Sequence, residues 1–257
     1  MRCIVQFSGG GASYMAAKLA VEEFGRENTV LLFADTRMED NDLYRFNADV
    51  EKALGISITR LCEGRTPWQV FFDEGMIGNT RADLCSRILK REVLDAWRVA
   101  NTTPDDAVIF VGMDANEAHR LAGVQRRLAP WIVRSPLVER GIWKEHVLAQ
   151  IEADGIKLPR LYKLGFAHNN CGGFCIKAGQ GHFALLLETL PGRYLGHEQA
   201  EEQFRQETGK DVAILRDRRG GDTKPLTLRA LRERLEAAPE DVDRFDIGGC
   251  GCLEPAE

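Results

Sequence analysis

The sequence predicts an α/β protein: a Rossmann-like parallel sheet with helices on both faces, followed by a helical part that carries cysteines. Short apolar, β-branched runs alternate with segments of helical periodicity, and a glycine or a polar residue follows several of these runs directly. The chain has 257 residues, of which 44% are hydrophobic, so it can bury a substantial core. Parallel sheets of this kind bind ligands at the carboxyl ends of their strands.

Five apolar segments are the predicted strands, and they span residues 3–7, 29–34, 56–61, 108–112 and 131–133. Helices are predicted over residues 14–20, 41–54, 81–94, 144–153, 178–190, 198–208 and 226–237, with Asn41 as a cap. Residues 68–79 show no clear period and stay unassigned. We place a soft boundary near Lys157, between an α/β domain (1–156) and a mainly helical C-terminal region (157–257).

The stretch Phe7-Ser8-Gly9-Gly10-Gly11-Ala12-Ser13 lies between the first predicted strand and the first predicted helix. Its three glycines let the backbone come close to a phosphate, and the first N–H groups of a helix have no partner within it. The hydroxyls of Ser8 and Ser13 add two donors. This layout is typical of an anion site, although it lacks the lysine of G-x-x-x-x-G-K-[ST] and the spacing of G-x-G-x-x-G.

Two further candidate residues stand at the ends of other predicted strands. Asp35 follows the second strand, where it either binds a ribose hydroxyl or Mg²⁺ or caps the next turn. Gly112 ends the fourth strand, at a point where a nucleotide can approach the backbone. Because the carboxyl ends of parallel strands meet at one edge of the sheet, we expect both near the glycine loop.

The chain has seven cysteines. Because disulfides are rare in the reducing cytosol, these cysteines indicate metal ligands or reactive thiols. Cys171 and Cys175 flank a Gly-Gly turn that can aim both sulfurs at one point. Cys3 and Cys62 lie on or next to predicted strands and are interpreted as core residues. The other candidates are Cys85, in the basic segment 81–94, and Cys250 and Cys252 near the end of the chain.

The formal net charge of −5 argues against a chain that grips nucleic acid tightly on its own. A basic strip of Arg81, Arg87, Lys90 and Arg91, joined by Arg126 and Arg127, is either a local basic groove or an ordinary solvated helix face. No apolar run approaches the ~20 residues that a membrane span needs. With no signal peptide in view, we expect a cytoplasmic protein without a membrane contact.

The glycine loop resembles the PP-loop of the ATP pyrophosphatase superfamily, whose members split ATP into AMP and pyrophosphate. Its S-G-G-x-x-S pattern, from Ser8 to Ser13, is the residue pattern of that loop. Three other stretches resemble the sulfonucleotide (APS/PAPS) reductase branch of the superfamily: Leu161-Tyr162 before the cysteine pair, Asp83-Leu84-Cys85-Ser86-Arg87, and Pro136-Leu137 followed by Trp143. The likeness covers roughly the first 180 residues.

Four departures separate the chain from those reductases. The cysteine pair Cys171 and Cys175 is spaced by three residues instead of two, and Ser86 replaces the second of the tandem cysteines. Cys250-Gly251-Cys252 stands where the reductases carry a catalytic Glu-Cys-Gly motif. The loop keeps both serines of the ATP-splitting type. The combination is similar to sulfur-inserting members, namely tRNA thiolases and the reductase-like component of DNA phosphorothioate modification.

The resemblance implies an AMP-forming enzyme that activates an acceptor by adenylation for sulfur transfer, with DNA phosphorothioation as the first hypothesis. It makes residues 1–156 the nucleotide-binding domain. The implied ATP–Mg²⁺ site consists of Ser8, Gly9, Gly10, Gly11, Ser13, Asp35 and Gly112, with Ser8 and Ser13 catalytic. The implied 4Fe–4S ligands are Cys85, Cys171, Cys175 and Cys250, with zinc as the alternative metal and Cys252 as a catalytic thiol.

The implied partners are a nucleic acid presented by other proteins and a cysteine desulfurase that donates sulfur. Whether the tail cysteines are ligands or a mobile sulfur relay stays open, as does the oligomeric state. Two other functions also stay open: a sulfonucleotide reductase that attacks with Cys250 or Cys252, and a non-catalytic nucleotide-binding module with a structural zinc site. Pyrophosphate release from ATP separates the first function from both alternatives.

Overall fold

A computed structural model of the chain describes residues 1–78, 82–219 and 222–249. Its centre is a five-stranded parallel sheet of order β3-β2-β1-β4-β5. The strands are β1 (Arg2–Gln6), β2 (Thr29–Ala34), β3 (Ile58–Leu61), β4 (Ala107–Val111) and β5 (Ile132–Arg134). Each predicted strand is present, and the predicted Rossmann-like α/β fold is confirmed.

The helices of the first two thirds of the chain connect and cover these strands. They are α1 (Gly11–Phe24), α2 (Asn41–Leu54), α3 (Pro67–Glu74), α4 (Leu84–Ser86), α5 (Glu92–Asn101), α6 (Ala118–Leu128), α7 (Pro136–Glu139), α8 (Lys144–Ala153) and α9 (Arg160–Lys163). A π-helical turn, Arg87–Arg91, joins α4 to α5. Helix α3 lies in the segment that the sequence left unassigned.

The C-terminal region is mainly helical, as predicted, but it also holds a small hairpin. Its helices are α10 (Gln180–Thr189), α11 (Pro191–Thr208) and α12 (Leu228–Ala237), and the antiparallel hairpin pairs β6 (Leu215–Asp217) with β7 (Lys224–Leu226). Glu201 of α11 is fully buried and accepts hydrogen bonds from the N–H groups of Ile214 and Leu228, so it ties the hairpin and α12 to α11.

Two helix starts differ from the sequence-based expectation for a local reason. The cap of α2 is Asp40, whose carboxylate accepts a hydrogen bond from Asp42 N at 2.9 Å, and the predicted cap Asn41 is the first helical residue. Helix α12 begins at Leu228 after the cap Thr227, because the residues before it belong to the hairpin.

Apolar side chains form three clusters around this framework. Cys3 and Val5 of β1 face α1, α2 and α8, whereas Ile4 faces α5 and α6, so the sheet is covered on both faces. The third cluster joins α3 and α4 to the C-terminal helices through residues such as Trp68 and Phe174. The C-terminal region therefore packs directly against the segment that precedes β4.

The connections of the sheet identify its ligand-binding edge. Strand β1 pairs with β2 on one side and with β4 on the other, so the chain leaves the centre of the sheet in opposite directions. The crevice at the carboxyl ends of β1 and β4 is the position where open α/β sheets bind ligands. The glycine loop follows β1, and Gly112 follows β4.

Candidate functional site

The glycine loop lies at the amino end of α1, as the sequence predicts. Gly9 has φ of 78°, and Gly10 precedes the helix in an extended conformation without a side-chain cap. Ser13 Oγ donates to Gly10 O at 2.8 Å, and Ser8 Oγ lies 3.3 Å from Ser13 Oγ. The Ser13 hydroxyl thus holds the loop, whereas Ser8 is exposed at its outer side.

Tyr162 of α9 and Asn169, in the segment after α9, tether the loop. The hydroxyl of Tyr162 accepts a hydrogen bond from Gly11 N at 2.9 Å, and Asn169 Nδ2 donates to Gly9 O at 2.8 Å. Asn169 is 1% exposed, and its Oδ1 has no hydrogen-bond partner among the described residues. The sequence pointed to this segment through the Leu-Tyr motif but gave neither residue a role.

The glycines of the site meet different neighbours. A Cβ on Gly10 would lie 3.2 Å from the Tyr162 hydroxyl, so that position has little spare room. A Cβ on Gly112 would lie 2.5 Å from Ser13 N and 2.6 Å from Ser13 Cα. Gly112 therefore lets the loop after β4 pack against the first turn of α1, a structural role that is separate from its predicted contact with nucleotide.

A cleft of about 840 Å³ opens beside the loop. Ser8, Gly10 and Gly112 line it, whereas Gly9, Gly11 and Ser13 form the backbone and side-chain support behind them. Three basic side chains that had no predicted role in nucleotide binding also line the cleft: Lys90 from the π-helical turn, Arg120 from α6 and His168. Polyphosphate is recognised by this combination of helix N–H groups and cations.

His168 is exposed at the rim of its own segment, and it is neutral at physiological pH. The protein packed around its imidazole disfavours the charged form and, together with the charges of Lys144 and Arg120, lowers the pKa of His168 to about 4. Its imidazole therefore adds hydrogen-bonding capacity to the cleft without a positive charge.

Asp35 is buried away from the lining of this cleft. Its carboxylate accepts hydrogen bonds from Arg37 N at 2.7 Å and from the Tyr44 hydroxyl at 3.0 Å, and it is also paired with Arg60. These contacts match the turn-stabilising alternative that the sequence left open. A role for Asp35 in binding ribose or Mg²⁺ stays a prediction.

The cysteine pair lies next to the cleft, on the wall of a neighbouring cavity. Cys171 N donates to the carboxylate of Glu39, and the ammonium of Lys90 lies 3.4 Å from Cys171 Sγ. Since Lys90 also lines the nucleotide cleft, a single side chain connects the cleft with the sulfur. Glu39 is buried, and this burial raises its pKa. The charge of Lys90 and the hydrogen bonds from Thr36 and Cys171 act in the opposite direction.

The turn between the two cysteines is clamped by the C-terminal helices. Cys171, Gly172 and Gly173 all have positive φ, at 49°, 61° and 86°. Arg193 of α11 donates to Gly172 O at 2.6 Å, and His182 Nε2 lies 2.7 Å from Gly173 O, to which it donates.

A second cavity of about 1080 Å³ lies behind this turn. Cys171, Cys175 and Phe174 line one wall of it, and the cavity shares His168 and Asn170 with the nucleotide cleft. The two spaces therefore meet beside the cysteine pair.

The described residues do not assemble the predicted metal site. Among them, no group of three or more His, Cys, Asp or Glu side chains is placed to hold a metal ion. Cys85 packs against the hydrophobic cluster of the C-terminal region and does not line the cavity of Cys171 and Cys175. Cys250 and Cys252 lie outside the described residues, so neither a cluster nor zinc fits the described cysteines alone.

The predicted basic strip is largely neutralised by acidic neighbours. Its pairs are Arg87 with Glu92, Arg91 with Asp83 and Arg127 with Asp95, and Arg91 is buried. Lys90 points toward the cysteine turn, and Arg81 lies outside the described residues. Of the two interpretations of this strip, these ion pairs favour an ordinary helix face over a basic groove. Across residues 1–78, 82–219 and 222–249, every helix falls short of the length or apolarity of a membrane span.

The fold and the cleft define a nucleotide-binding α/β protein of the PP-loop type. The profile of the phosphoadenosine phosphosulfate (PAPS) reductase domain family matches residues 2–171, and the chain belongs to this family. An uncharacterized protein of Methanocaldococcus jannaschii is 28% identical over 176 residues, which are 65% of this chain and 35% of that relative. The chain thus spans about a third of the length of this relative.

Two solved structures are similar at low sequence identity. A predicted subunit of tRNA methyltransferase from Methanocaldococcus jannaschii has 13% identity and a TM-score of 0.37, with 59% of this chain and 74% of that chain covered. The NH3-dependent NAD synthetase of Campylobacter jejuni has 14% identity and a TM-score of 0.42, with 81% and 87% covered.

Proposed function

We propose that this protein is an AMP-forming ATP pyrophosphatase that activates an acceptor by adenylation for sulfur transfer in nucleic-acid modification. One observation carries the proposal: the phosphate-type loop and the cysteine turn line adjoining cavities, and Lys90 both lines the cleft of the loop and contacts Cys171 Sγ at 3.4 Å. A site that only binds nucleotide does not require a cysteine beside it, and a site that only carries sulfur does not require a glycine loop. Their proximity therefore favours a reaction that uses both.

The glycine loop is suited to hold the triphosphate. The backbone of Gly10 and the start of α1, with the exposed hydroxyl of Ser8, offer donors to the leaving pyrophosphate. Lys90 and Arg120 also line the cleft and add positive charge, and Arg120 is paired there with Glu117, a carboxylate of the same lining. Because negative charge on the pyrophosphate grows in the transition state, donors fixed at this position lower the barrier to adenylation. Mg²⁺ accompanies the ATP in this proposal.

The cysteine turn is suited to supply the nucleophile. Thiolate is the reactive form of cysteine, and a cation beside the sulfur favours it, as Lys90 does for Cys171. A persulfide on Cys171, loaded by the desulfurase, attacks the acceptor atom with its outer sulfur, the bond from that atom to the adenylated oxygen breaks, and AMP leaves with the oxygen. A thiol reductant then attacks the Cys171 sulfur, so that the S–S bond breaks and the outer sulfur stays on the acceptor. A second equivalent of thiol reduces the mixed disulfide and restores Cys171. Adenylation matters because it converts a poor oxygen leaving group into AMP.

The identity of any metal stays part of the proposal. A 4Fe–4S cluster on Cys85, Cys171, Cys175 and Cys250, with zinc as the alternative, and catalysis by Cys252 derive from the family resemblance. No step above depends on the metal, because the described cysteines do not form a complete ligand set. An absorbance spectrum with iron and sulfide analysis of anaerobic protein tests it. Colourless protein that contains one zinc per chain would indicate a structural zinc site in place of the cluster.

The acceptor and the partners are also proposals. The net charge of −5 and the paired cations of the basic strip favour a nucleic acid presented by other proteins, with a cysteine desulfurase as sulfur donor. DNA phosphorothioation is the first form of this hypothesis, and thiolation of tRNA is the second. Mass spectrometry of digested DNA and tRNA from a host lacking the gene distinguishes the two.

The test of the proposed activity is pyrophosphate release from ATP–Mg²⁺ in the presence of acceptor nucleic acid and partner proteins. We expect release by the wild-type chain and a large loss for Gly10→Ala, because the Cβ enters the space beside the Tyr162 hydroxyl and the phosphate. Tight binding of APS or PAPS without response to ATP would assign the protein to the sulfonucleotide reductases. Nucleotide binding without turnover would leave a non-catalytic module.

A further inference from the structure

We propose that the second cavity binds the acceptor through an uncharged planar ring of the nucleobase class, so that sulfur is added to a base and not to the phosphate backbone. This inference rests on the proposed function and selects between its two forms. It comes from the position of the cavity and from the chemistry of its walls.

The position of the cavity is that of an acceptor site. It shares His168 and Asn170 with the nucleotide cleft, so a group seated in it reaches the cleft past these two side chains. Cys171 and Cys175 lie on its wall. An acceptor held here has the activating nucleotide on one side and the sulfur on the other, as adenylation followed by sulfur transfer requires.

The walls carry almost no net charge. Glu188 and Arg244 are the charged side chains among the described residues that line the cavity, and they are paired with each other at an exposed edge. His182 is neutral as well, because burial lowers its pKa, and His168 is neutral for the reason given above. A phosphate placed here would lose its hydration without gaining an unpaired cation from these walls, whereas an uncharged ring would not incur that loss.

The walls are also apolar. Phe174, Leu185 and Ile247 line the cavity, and Ile247 is 60% exposed. Phe245, two residues earlier on the same segment, is 92% exposed. Apolar side chains that line a cavity are covered when a flat ring enters, and the burial of this surface stabilises the complex. Asn170 and the two histidines offer polar atoms that suit the edge of a base.

One wall of the cavity is formed by residues 243–249, which pack closely against Gly179 and Gly181. Residues 243–249 pack on the start of α10, where Asp246 O accepts from Gly181 N and Gly249 N donates to Lys177 O. A Cβ on Gly179 or Gly181 would lie 2.1 Å or 2.2 Å from this segment. The wall that carries Ile247 is therefore a fixed part of the cavity.

The experiment compares two short single-stranded oligonucleotides, one of mixed sequence and one with the same backbone but no bases, by fluorescence anisotropy with ATP–Mg²⁺ present. We expect the base-free strand to bind roughly tenfold more weakly or worse, since base stacking contributes most of the contact. Equal binding of the two strands would overturn the inference and would favour the phosphate backbone as the acceptor.

A matched pair of variants locates the binding. Leu185→Phe fills the cavity without adding charge, and Leu195→Phe makes the same change on α11, at a leucine that is 46% exposed and outside the cavity lining. Only Leu185→Phe should reduce binding of the base-bearing strand to that of the base-free strand, with ATP binding unchanged. An undiminished affinity in a folded Leu185→Phe protein contradicts the inference.

Failure of the inference and failure of the proposed function give different results. Base-dependent binding without pyrophosphate release would leave the cavity assignment intact and remove the pyrophosphatase activity. Pyrophosphate release that is equal with both strands would retain the activity and remove the base as the acceptor.

Discussion

The two ends of the candidate site, the glycine loop and the cysteine turn, are built in different ways. The glycine loop is set mainly by a few consecutive residues: β1 ends, three glycines turn the chain, and Ser13 bonds back to Gly10 O, with Tyr162 and Asn169 as two distant tethers. The cysteine turn has its shape imposed by distant side chains. Glu39 precedes α2, His182 belongs to α10 and Arg193 to α11, and all three bond to the backbone of the turn.

This difference indicates how each end responds to change. A loop whose geometry is local is damaged mainly by substitutions within it or directly against it. A turn that is held by several helices is sensitive to the packing of the whole C-terminal region, which also supplies the stacking of His197 on Phe174 at 4.0 Å between ring centroids. We therefore expect substitutions of the first kind to affect nucleotide binding and those of the second kind to affect sulfur chemistry.

The largest effect is expected for Gly112→Ala, at the nucleotide end. The added Cβ would lie 2.5 Å from Ser13 N, and this backbone cannot move without displacing the start of α1. We expect a loss of about 3 kcal/mol in the free energy of unfolding, measured with urea, together with loss of ATP binding.

Gly123→Ala is the control for this change, because nothing lies within 4 Å of its Cβ position in α6. Helix propensity predicts that it is neutral or slightly stabilising. If both variants unfold at the same urea concentration, the close approach at Gly112 does not matter for the fold.

Gly172→Ala tests the cysteine end and should have the next largest effect. Its Cβ would overlap the guanidinium of Arg193 and lie 2.8 Å from Met38 O, and Gly172 has positive φ. We expect a loss of about 2 kcal/mol in stability and a loss of sulfur transfer, with ATP binding retained.

The matched change for this end is Gly192→Ala, at the start of α11, where the Cβ position is open. It should leave both stability and sulfur transfer close to wild type. If Gly172→Ala loses ATP binding but keeps sulfur transfer, the cysteine turn and the glycine loop do not have the separate roles that their contacts indicate.

The same contrast explains what the sequence could predict. The strands and the glycine loop depend on composition and spacing within short segments, so the order of apolar runs and the residues from Ser8 to Ser13 were sufficient to find them. The choice of cap on α2 failed because it depends on which of two adjacent polar residues reaches Asp42 N, and Asp40 does so.

The cysteine end could be predicted only as a motif. The clamping of Gly172 by Arg193 joins residues that are 21 apart, and Lys90 reaches Cys171 across 81 residues through a π-helical turn that composition does not indicate. The sequence could not decide between the two interpretations of the basic strip for a similar reason: Arg91 looks like a surface cation in sequence, but in the fold it is buried against Asp83.

His197 of α11, which stacks on Phe174 of the cysteine turn, should also make stability depend on pH. Trp68 Nε1 donates to His197 Nδ1 at 3.0 Å, and burial, with Arg193 nearby, lowers the pKa of His197 to about 3. The unfolded chain binds a proton near the model-compound value of 6.5, whereas the folded chain does not. The contribution of His197 to stability is therefore present above pH 6.5 and is lost as the pH falls toward 3.

Urea unfolding at a series of pH values measures this effect. We expect wild-type stability to fall more steeply between pH 6.5 and 4 than that of His197→Gln, by up to about 1.4 kcal/mol per pH unit, since the amide keeps an acceptor for Trp68. Parallel curves for the two proteins would mean that His197 does not resist protonation in the folded state.

The smallest effects separate the two serines of the glycine loop. Ser13 is 2% exposed and donates to Gly10 O, so Ser13→Ala should cost about 1 kcal/mol in the free energy of unfolding and also weaken ATP binding. Ser8 is exposed and lines the cleft, so Ser8→Ala should change stability by less than about 0.5 kcal/mol and still weaken ATP binding roughly tenfold. Urea denaturation and calorimetric titration with ATP–Mg²⁺ measure the two quantities. If Ser8→Ala binds ATP as tightly as wild type, Ser8 is not a phosphate ligand, and the loop binds through its backbone and the cations of the cleft.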